Sequence, residues 1–279
     1  MSVAVVAACA VVAAAASAGM PSVVRRLPEP PPPDEPAQDP PAEVAEGAAE
    51  PDATVPPEDP PRRRPRRPVP DFSLWGMHAR EREKEPYADL AAVPHLAWGC
   101  AVAGAVLGAL VGWRGGWDPA LAVVLPVVPV GIAVAVIDWR TRLIPTRLVL
   151  PATAYVVLAG LVIWAVTGDR ADLLRAVIGL VVVRSCFWVF WFIRAAGMGF
   201  GDVRLSALLG FVLGYLGAGA LVFGIWIGFL AFGLPGVLLA LLKRNYQLLR
   251  VPFPFGPFML IGGVVGILCG QSVMSGIYG

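Results

Sequence analysis

From Leu90 onward the chain alternates between long apolar runs and short polar breaks. The runs fall at roughly 91–112, 119–137, 148–167, 173–193, 203–217, 219–242 and 256–277, and one more covers residues 1–20. Most have the ~18–22 residues an α-helix needs to cross a ~30 Å hydrocarbon layer. The pattern predicts an all-α, polytopic transmembrane helix bundle of about eight spans. Breaks fall at Trp113–Pro119, Asp138–Arg147, Gly168–Asp172, Arg194–Asp202 and Lys243–Pro254. The stretch 203–242 is much too long for one span, so it folds at Gly217-Ala218-Gly219.

A different kind of sequence separates the first run from the others. Residues 28–61 are rich in proline and acids and bury too little surface to fold. Arg62 to Arg67 form a basic knot, RRRPRR, suited to anchoring on anionic head groups. Residues 77–86 are charged and predict a short surface helix. Three parts result: an N-terminal transmembrane helix at 1–20, a largely disordered cytoplasmic linker at 21–90, and a multi-span core at 91–277.

Charge orients the spans. With the N-terminus outside, the inside segments hold Arg25, Arg26, the knot, Arg80, Arg82, Lys84, Arg140, Arg142, Arg147, Arg194, Arg204, Lys243, Arg244 and Arg250. That is 18 of the 22 basic residues. The outside loops hold Arg114, Arg170 and Arg175, and Arg184 lies mid-span. This asymmetry follows the positive-inside bias and puts both termini outside. Arg25 and Arg26 follow the first run instead of preceding it, which reads as a retained helix. The competing reading is a signal peptide cut near Ala16-Ser17-Ala18, which leaves seven spans in the same orientation.

Composition narrows the chemistry. The chain is 57% hydrophobic and 15% charged, against about 25% charged in soluble domains. A net charge of +2, with no basic stripe, argues against nucleic acid. Cys9, Cys100, Cys186 and Cys269 lie singly in apolar runs and form no CxxC pair, so no metal site is expected. His78 and His95 are isolated and read as non-catalytic.

The acids are the informative residues. Asp118, Asp169 and Asp172 fall on the outside. Asp138 ends one span and Asp202 begins another, and the topology brings both to the inside face at one depth. Two carboxylates held together share a proton. One can then activate water as a general base while the other polarises a carbonyl as a general acid. Such chemistry requires neither a metal nor another cofactor. The alternative is that each acid caps a helix or pairs with Arg140, Arg142 or Arg204; Asp202 is placed to cap a helix starting at Val203. Gly197, Gly199 and Gly201 precede Asp202 and permit close approach of another chain. Ile144-Pro145 imposes an extended break, with Pro145 suited to the first turn of the next helix. Pro252, Pro254, Gly256 and Pro257 make a stiff aromatic lead into the last span.

These blocks together resemble the type IV prepilin peptidases, bacterial intramembrane aspartyl proteases of the GxGD type. The blocks are Asp138 with Ile144-Pro145, Leu148 and Pro151; Gly197 to Leu205 with Gly199-Phe200-Gly201-Asp202; and Pro254-Phe255-Gly256-Pro257-Phe258. Gly19 to Pro28 is a weaker match. The resemblance implies a protein of the bacterial inner membrane, associated with membrane lipids, whose catalytic pair is Asp138 and Asp202. Gly199, Gly201, Ile144, Pro145, Gly256 and Pro257 would support the site. The substrate would be a prepilin or pseudopilin whose short basic leader is clipped at the cytoplasmic face. Bifunctional relatives carry a zinc-binding insert with two CxxC pairs after the first helix. Residues 28–90 hold no cysteine, so neither zinc nor N-methyltransferase activity is expected. Arg204 stands where many relatives have lysine.

Two other classes remain open at the level of sequence. A proton-coupled transporter predicts acids near mid-span and inverted repeats, whereas these acids lie at span ends and no repeat is visible. A non-catalytic membrane component of a pilus or secretion assembly predicts that the acids are dispensable. Arg184, in VVVRSCFW, carries a cost of roughly 2.5–3.5 kcal/mol on insertion scales and is expected to face the bundle interior.

Overall fold

A computed structural model describes residues 2–28, 87–193, 198–244 and 254–278. Most of the expected linker, the basic knot, the 77–86 stretch, His78, Arg194, Gly197 and Pro252 lie outside the described residues. Among the described residues every regular element is helical. In order they are α1 (Val3–Ala18), α2 (Met20–Val24), α3 (Tyr87–Ala91), α4 (Leu96–Gly115), α5 (Leu121–Val124), α6 (Val127–Thr141), α7 (Thr146–Thr167), α8 (Arg170–Ile193), α9 (Phe200–Leu216), α10 (Ala218–Leu242) and α11 (Gly256–Tyr278). Among the described residues seven segments are long and apolar enough to cross a membrane, with α1 and α2 joined as one and α5 and α6 as another.

The eighth expected span is α9. It has 17 residues, a rise of about 26 Å at 1.5 Å per residue. Its sequence is apolar on every face, and such a helix belongs inside protein. Every residue from Asp202 to Tyr215 except Arg204 is buried. The helix packs against α7, α8, α10 and α11. Gly217, at φ 133°, lets the chain reverse directly into α10, a backbone angle that residues with a side chain rarely adopt.

Small residues set the closest contacts, as expected where lipid supplies little drive for helix association. On α1, Val5, Cys9, Ala13 and Ser17 form a buried stripe, matched on α4 by Gly104, Gly108 and Gly112. A β-carbon added at Gly108 would lie 2.6 Å from the Ala13 methyl. Gly108→Val is therefore expected to destabilise the bundle by about 1–3 kcal/mol, the usual cost of overpacking. A fall in thermal midpoint in detergent checks it, with Gly99→Val, where nothing lies within 4 Å, as the control.

Two sequence expectations shift in detail. Pro145 stands just before α7 as its extended N-cap, at φ −69° and ψ 121°, and not within the first turn. Arg184 does not face the interior. The buried stripe of α8 is Ala176, Gly179, Val183 and Phe187, which turns Arg184 outward and exposed.

Candidate active site

Four helix ends converge where the sequence placed its two acids. Asp138 lies in the last turn of α6, one turn before Arg142 closes the helix in the left-handed conformation at φ 55°. It is 4% exposed. Its Oδ2 accepts a hydrogen bond of 2.9 Å from the backbone N–H of Gly256, 118 residues away, at the start of α11. The α11 end is fixed by rings. Phe255 packs against Phe232, Phe229 and Phe187, with centroids 4.8, 5.5 and 5.9 Å apart. This cluster draws on α8 and α10 and holds the short Pro254-Phe255 lead that presents Gly256 to Asp138.

Asp202 lies in the first turn of α9 and is 8% exposed. The helix begins at Phe200, three residues before the expected start at Val203. Asp202 is therefore its third residue, and Oδ2 accepts a 3.0 Å bond from the N–H of Gly199, the N-cap. The capping reading of Asp202 is thus correct in kind, and it uses one carboxylate oxygen. Among the described residues neither Asp138 nor Asp202 forms an ion pair, and the Arg142 charge acts on Asp138 from beyond ion-pair range. Arg204 instead hydrogen-bonds the Thr146 hydroxyl at the start of α7 and lies 4.7 Å over the Phe200 ring. That cation–π contact and the Thr146 bond tie the first turn of α9 to the first turn of α7.

Ile144 joins the two halves. It leads extended from α6 toward Pro145. A β-carbon on Gly201 would lie 2.7 Å from the Ile144 Cβ, and one on Gly256 would lie 3.4 Å from its Cδ1 and 2.7 Å from Asp138 Oδ2. Glycine at both positions therefore lets the carriers of the two carboxylates close around one side chain. Asp138 and Asp202 lie within electrostatic reach of each other. Gly199 differs: its added β-carbon would meet Asp202 Oδ2 at 3.4 Å and the Gly201 N at 3.9 Å, both ordinary contacts. Pro257, next to Gly256, faces a long apolar groove of about 370 Å³ between α4, α6, α9 and α11.

The structure thus gathers Asp138, Ile144, Asp202, Gly199, Gly201 and Gly256 at one end of the bundle. Each buried carboxylate is held through one oxygen by one backbone N–H, which fixes its orientation and leaves the other oxygen for chemistry. Among the described residues no cluster of His, Cys, Asp and Glu is arranged to hold a metal ion.

Comparison with known proteins converges on the same region. Residues 125–270, just over half of the chain, match the type IV leader peptidase family. The chain belongs to this family. Curated relatives in the peptidase family carry the name prepilin leader peptidase/N-methyltransferase. The protein of Aeromonas hydrophila is 34% identical over 147 residues, 51% of this chain and 47% of its own. That of Bacillus subtilis strain 168 is 34% identical over 145 residues, 52% of this chain and 54% of its own. That of Burkholderia pseudomallei strain 1026b is 29% identical over 207 residues, 72% of this chain and 62% of its own. The chain spans about half the length of the curated relatives it matches. No solved structure matches it. The matched region of the family contains both carboxylates, Ile144, the Gly199–Asp202 block and Gly256.

Two features of this peptidase-family site were not readable from sequence. One is the Gly256 N–H as the partner of Asp138, since the sequence marks Gly256 as a support residue in a stiff lead without giving its partner. The other is Thr146 as the partner of Arg204; no local pattern marks a hydroxyl 58 residues away.

Proposed function

We propose that the chain is an intramembrane aspartyl endopeptidase that removes the short basic leader of prepilin-like substrates at the cytoplasmic membrane face. The observation that carries this is two buried carboxylates that act on each other and form no ion pair among the described residues, each fixed by a single backbone N–H. In this reading Asp138 and Asp202 share one proton. The ionised carboxylate takes a proton from an attacking water. The protonated one donates to the scissile carbonyl, and the tetrahedral intermediate then collapses with proton return to the leaving amine. Gly199 and Gly256 are positioning groups that act through the carboxylates. The bias of basic residues toward the α6, α9 and α11 ends that hold the site supports a cytoplasmic orientation. Residues 28–90 lack cysteine, so N-methyl transfer of the kind that uses a Cys-held zinc is not part of the proposed activity.

The apolar groove supports a particular pose. On α6 its lining steps away from Asp138 through Ala135, Ile132 and Val128, and on α11 it steps from Pro257 through Ile261 and Val264. Its lining starts one helical turn from Asp138, at Ala135, and at Pro257 beside Gly256, and runs along the bundle. A substrate whose polar leader is joined to an apolar helix would lay that helix in the groove and leave the junction at the carboxylate pair. Filling the groove with Val264→Trp is expected to raise KM for a leader-bearing substrate about 10-fold with kcat within about threefold. That is the pattern of lost ground-state binding, and steady-state kinetics in detergent micelles check it.

Co-expression with a leader-bearing prepilin tests the function. The expected result is a gel shift of the prepilin that requires both Asp138 and Asp202. Undiminished processing by both Asp→Asn variants would sink the proposal.

A further inference from the structure

The cleavage site leaves one expensive feature unused. Arg184 stands on α8, which runs from Arg170 to Ile193. Among the described residues it forms no hydrogen bond and no ion pair. It lies about 4 Å past the helix midpoint and about 14 Å short of the nearer end, at 1.5 Å per residue. Side chains on a helix lean toward its N-terminus. Arg184 therefore leans away from its nearer end, and snorkelling toward that surface is disfavoured. A guanidinium turned outward at this depth has no lipid group to meet.

The surrounding surface has the form of a helix-packing seam. Leu174, Ile178, Val181, Ser185, Trp188 and Phe192 are all exposed. Their spacing alternates between steps of four and three, which keeps one stripe aligned along α8. Arg184 adjoins Ser185 within it. Trp188 and Phe192 stack, with centroids 5.5 Å apart and planes within 17°, and so present a firm aromatic patch one turn beyond the charge. The opposite stripe of α8 is already filled by the bundle.

We infer that this outer face of α8 is a docking surface for a transmembrane helix of a partner protein carrying a carboxylate at mid-membrane depth. Charge complementarity selects the partner. A desolvated guanidinium gains most from a carboxylate, which accepts from it bidentately. A second copy of this chain does not supply one. The acids that follow Tyr87 are Asp89, Asp118, Asp138, Asp169, Asp172 and Asp202, and all lie in loops or in the first or last turn of a helix. Two apposed copies would bring like charges together. A phospholipid head group is excluded by depth. The inference does not draw on the peptidase reading: α8 meets the site through Phe187 and Trp191, and neither belongs to the outward stripe.

The test uses the full chain in phosphatidylcholine vesicles with a fluorescent donor on a C-terminal tag. The probe is a polyleucine transmembrane peptide with one central Glu and an acceptor dye. The same peptide with a central Gln is the comparison. The native chain is expected to bind the Glu peptide at least tenfold more tightly than the Gln peptide. Arg184→Gln should abolish the preference and Arg184→Lys should retain most of it. Thermal unfolding in detergent shows that each variant is folded. Equal binding of the two peptides to the native chain would overturn the inference, and so would a preference that survives Arg184→Gln. Self-association of the native chain that Arg184→Gln weakens would also overturn it, by assigning the face to a second copy.

Discussion

Asp202→Asn is expected to lower leader cleavage by at least ~10³-fold, within the span that positioned acid–base groups contribute, while the protein keeps its fold. The two roles of Asp202 separate in this variant. As a helix cap it needs only an oxygen to accept from the Gly199 N–H, 3.0 Å away, and an Asn side chain retains that oxygen. A residue that only caps would therefore show a small stability change and near-normal turnover. A residue that exchanges a proton would lose its function outright, because an amide neither serves as a general base nor carries an acidic proton. Asp138→Asn follows the same logic, with its oxygen still able to accept from Gly256. The double variant should be little worse than either single one, since residues that act as a unit are not additive. Turnover of a leader-bearing substrate and thermal unfolding, measured on the same preparations, check all three.

Gly201→Ala should cost at least ~100-fold in turnover, and shortening Ile144 should restore part of it. The added methyl would lie 2.7 Å from the Ile144 Cβ, closer than carbon atoms approach. That β-carbon is not the far end of a flexible chain, so the backbone of one partner must move. Ile144 also touches the space over Gly256, whose N–H orients Asp138. The shift therefore spreads from the Asp202 helix to the Asp138 carboxylate, and misplacement by about 1 Å is enough for a 10²-fold loss. Ile144→Gly alone removes that β-carbon and should lower turnover more mildly. The Gly201→Ala, Ile144→Gly double variant, which lacks the clashing β-carbon, should exceed Gly201→Ala alone by about tenfold in kcat. Without that coupling in the double-mutant cycle, the two residues do not act through a shared contact.

Much of this arrangement was legible because hydropathy and charge are long-range signals in a membrane chain. The runs set the helices to within a few residues, and the bias of arginines put Asp138 and Asp202 at one end of the bundle before any coordinates. The sequence counted α9 as one more span, and its place inside the bundle emerges only from the packing. Uniform apolarity hid which side of α8 faces outward: with no periodicity in its apolar residues, the expected inward Arg184 had no local contradiction. The contacts that finish the site were hidden for another reason. The Gly256–Asp138 bond, the Arg204–Thr146 bond and the Ile144 wedge each join segments far apart in sequence, two through backbone groups or glycines that carry no side-chain signal. The start of α9 at Phe200 was missed because Gly199-Phe200-Gly201 reads as a breaker, whereas Asp202 Oδ2 accepts from the Gly199 N–H and the Gly199 carbonyl accepts from the Asp202 N–H, which extends the helix over it.

The most direct test is to incubate the purified chain, in vesicles, with a prepilin bearing a basic leader and to read the new N-terminus by mass spectrometry. One cut is predicted, at the junction between leader and apolar helix, made by the native chain and by neither Asp138→Asn nor Asp202→Asn. An intact prepilin with folded native protein, or the same cut from either variant, would contradict the account.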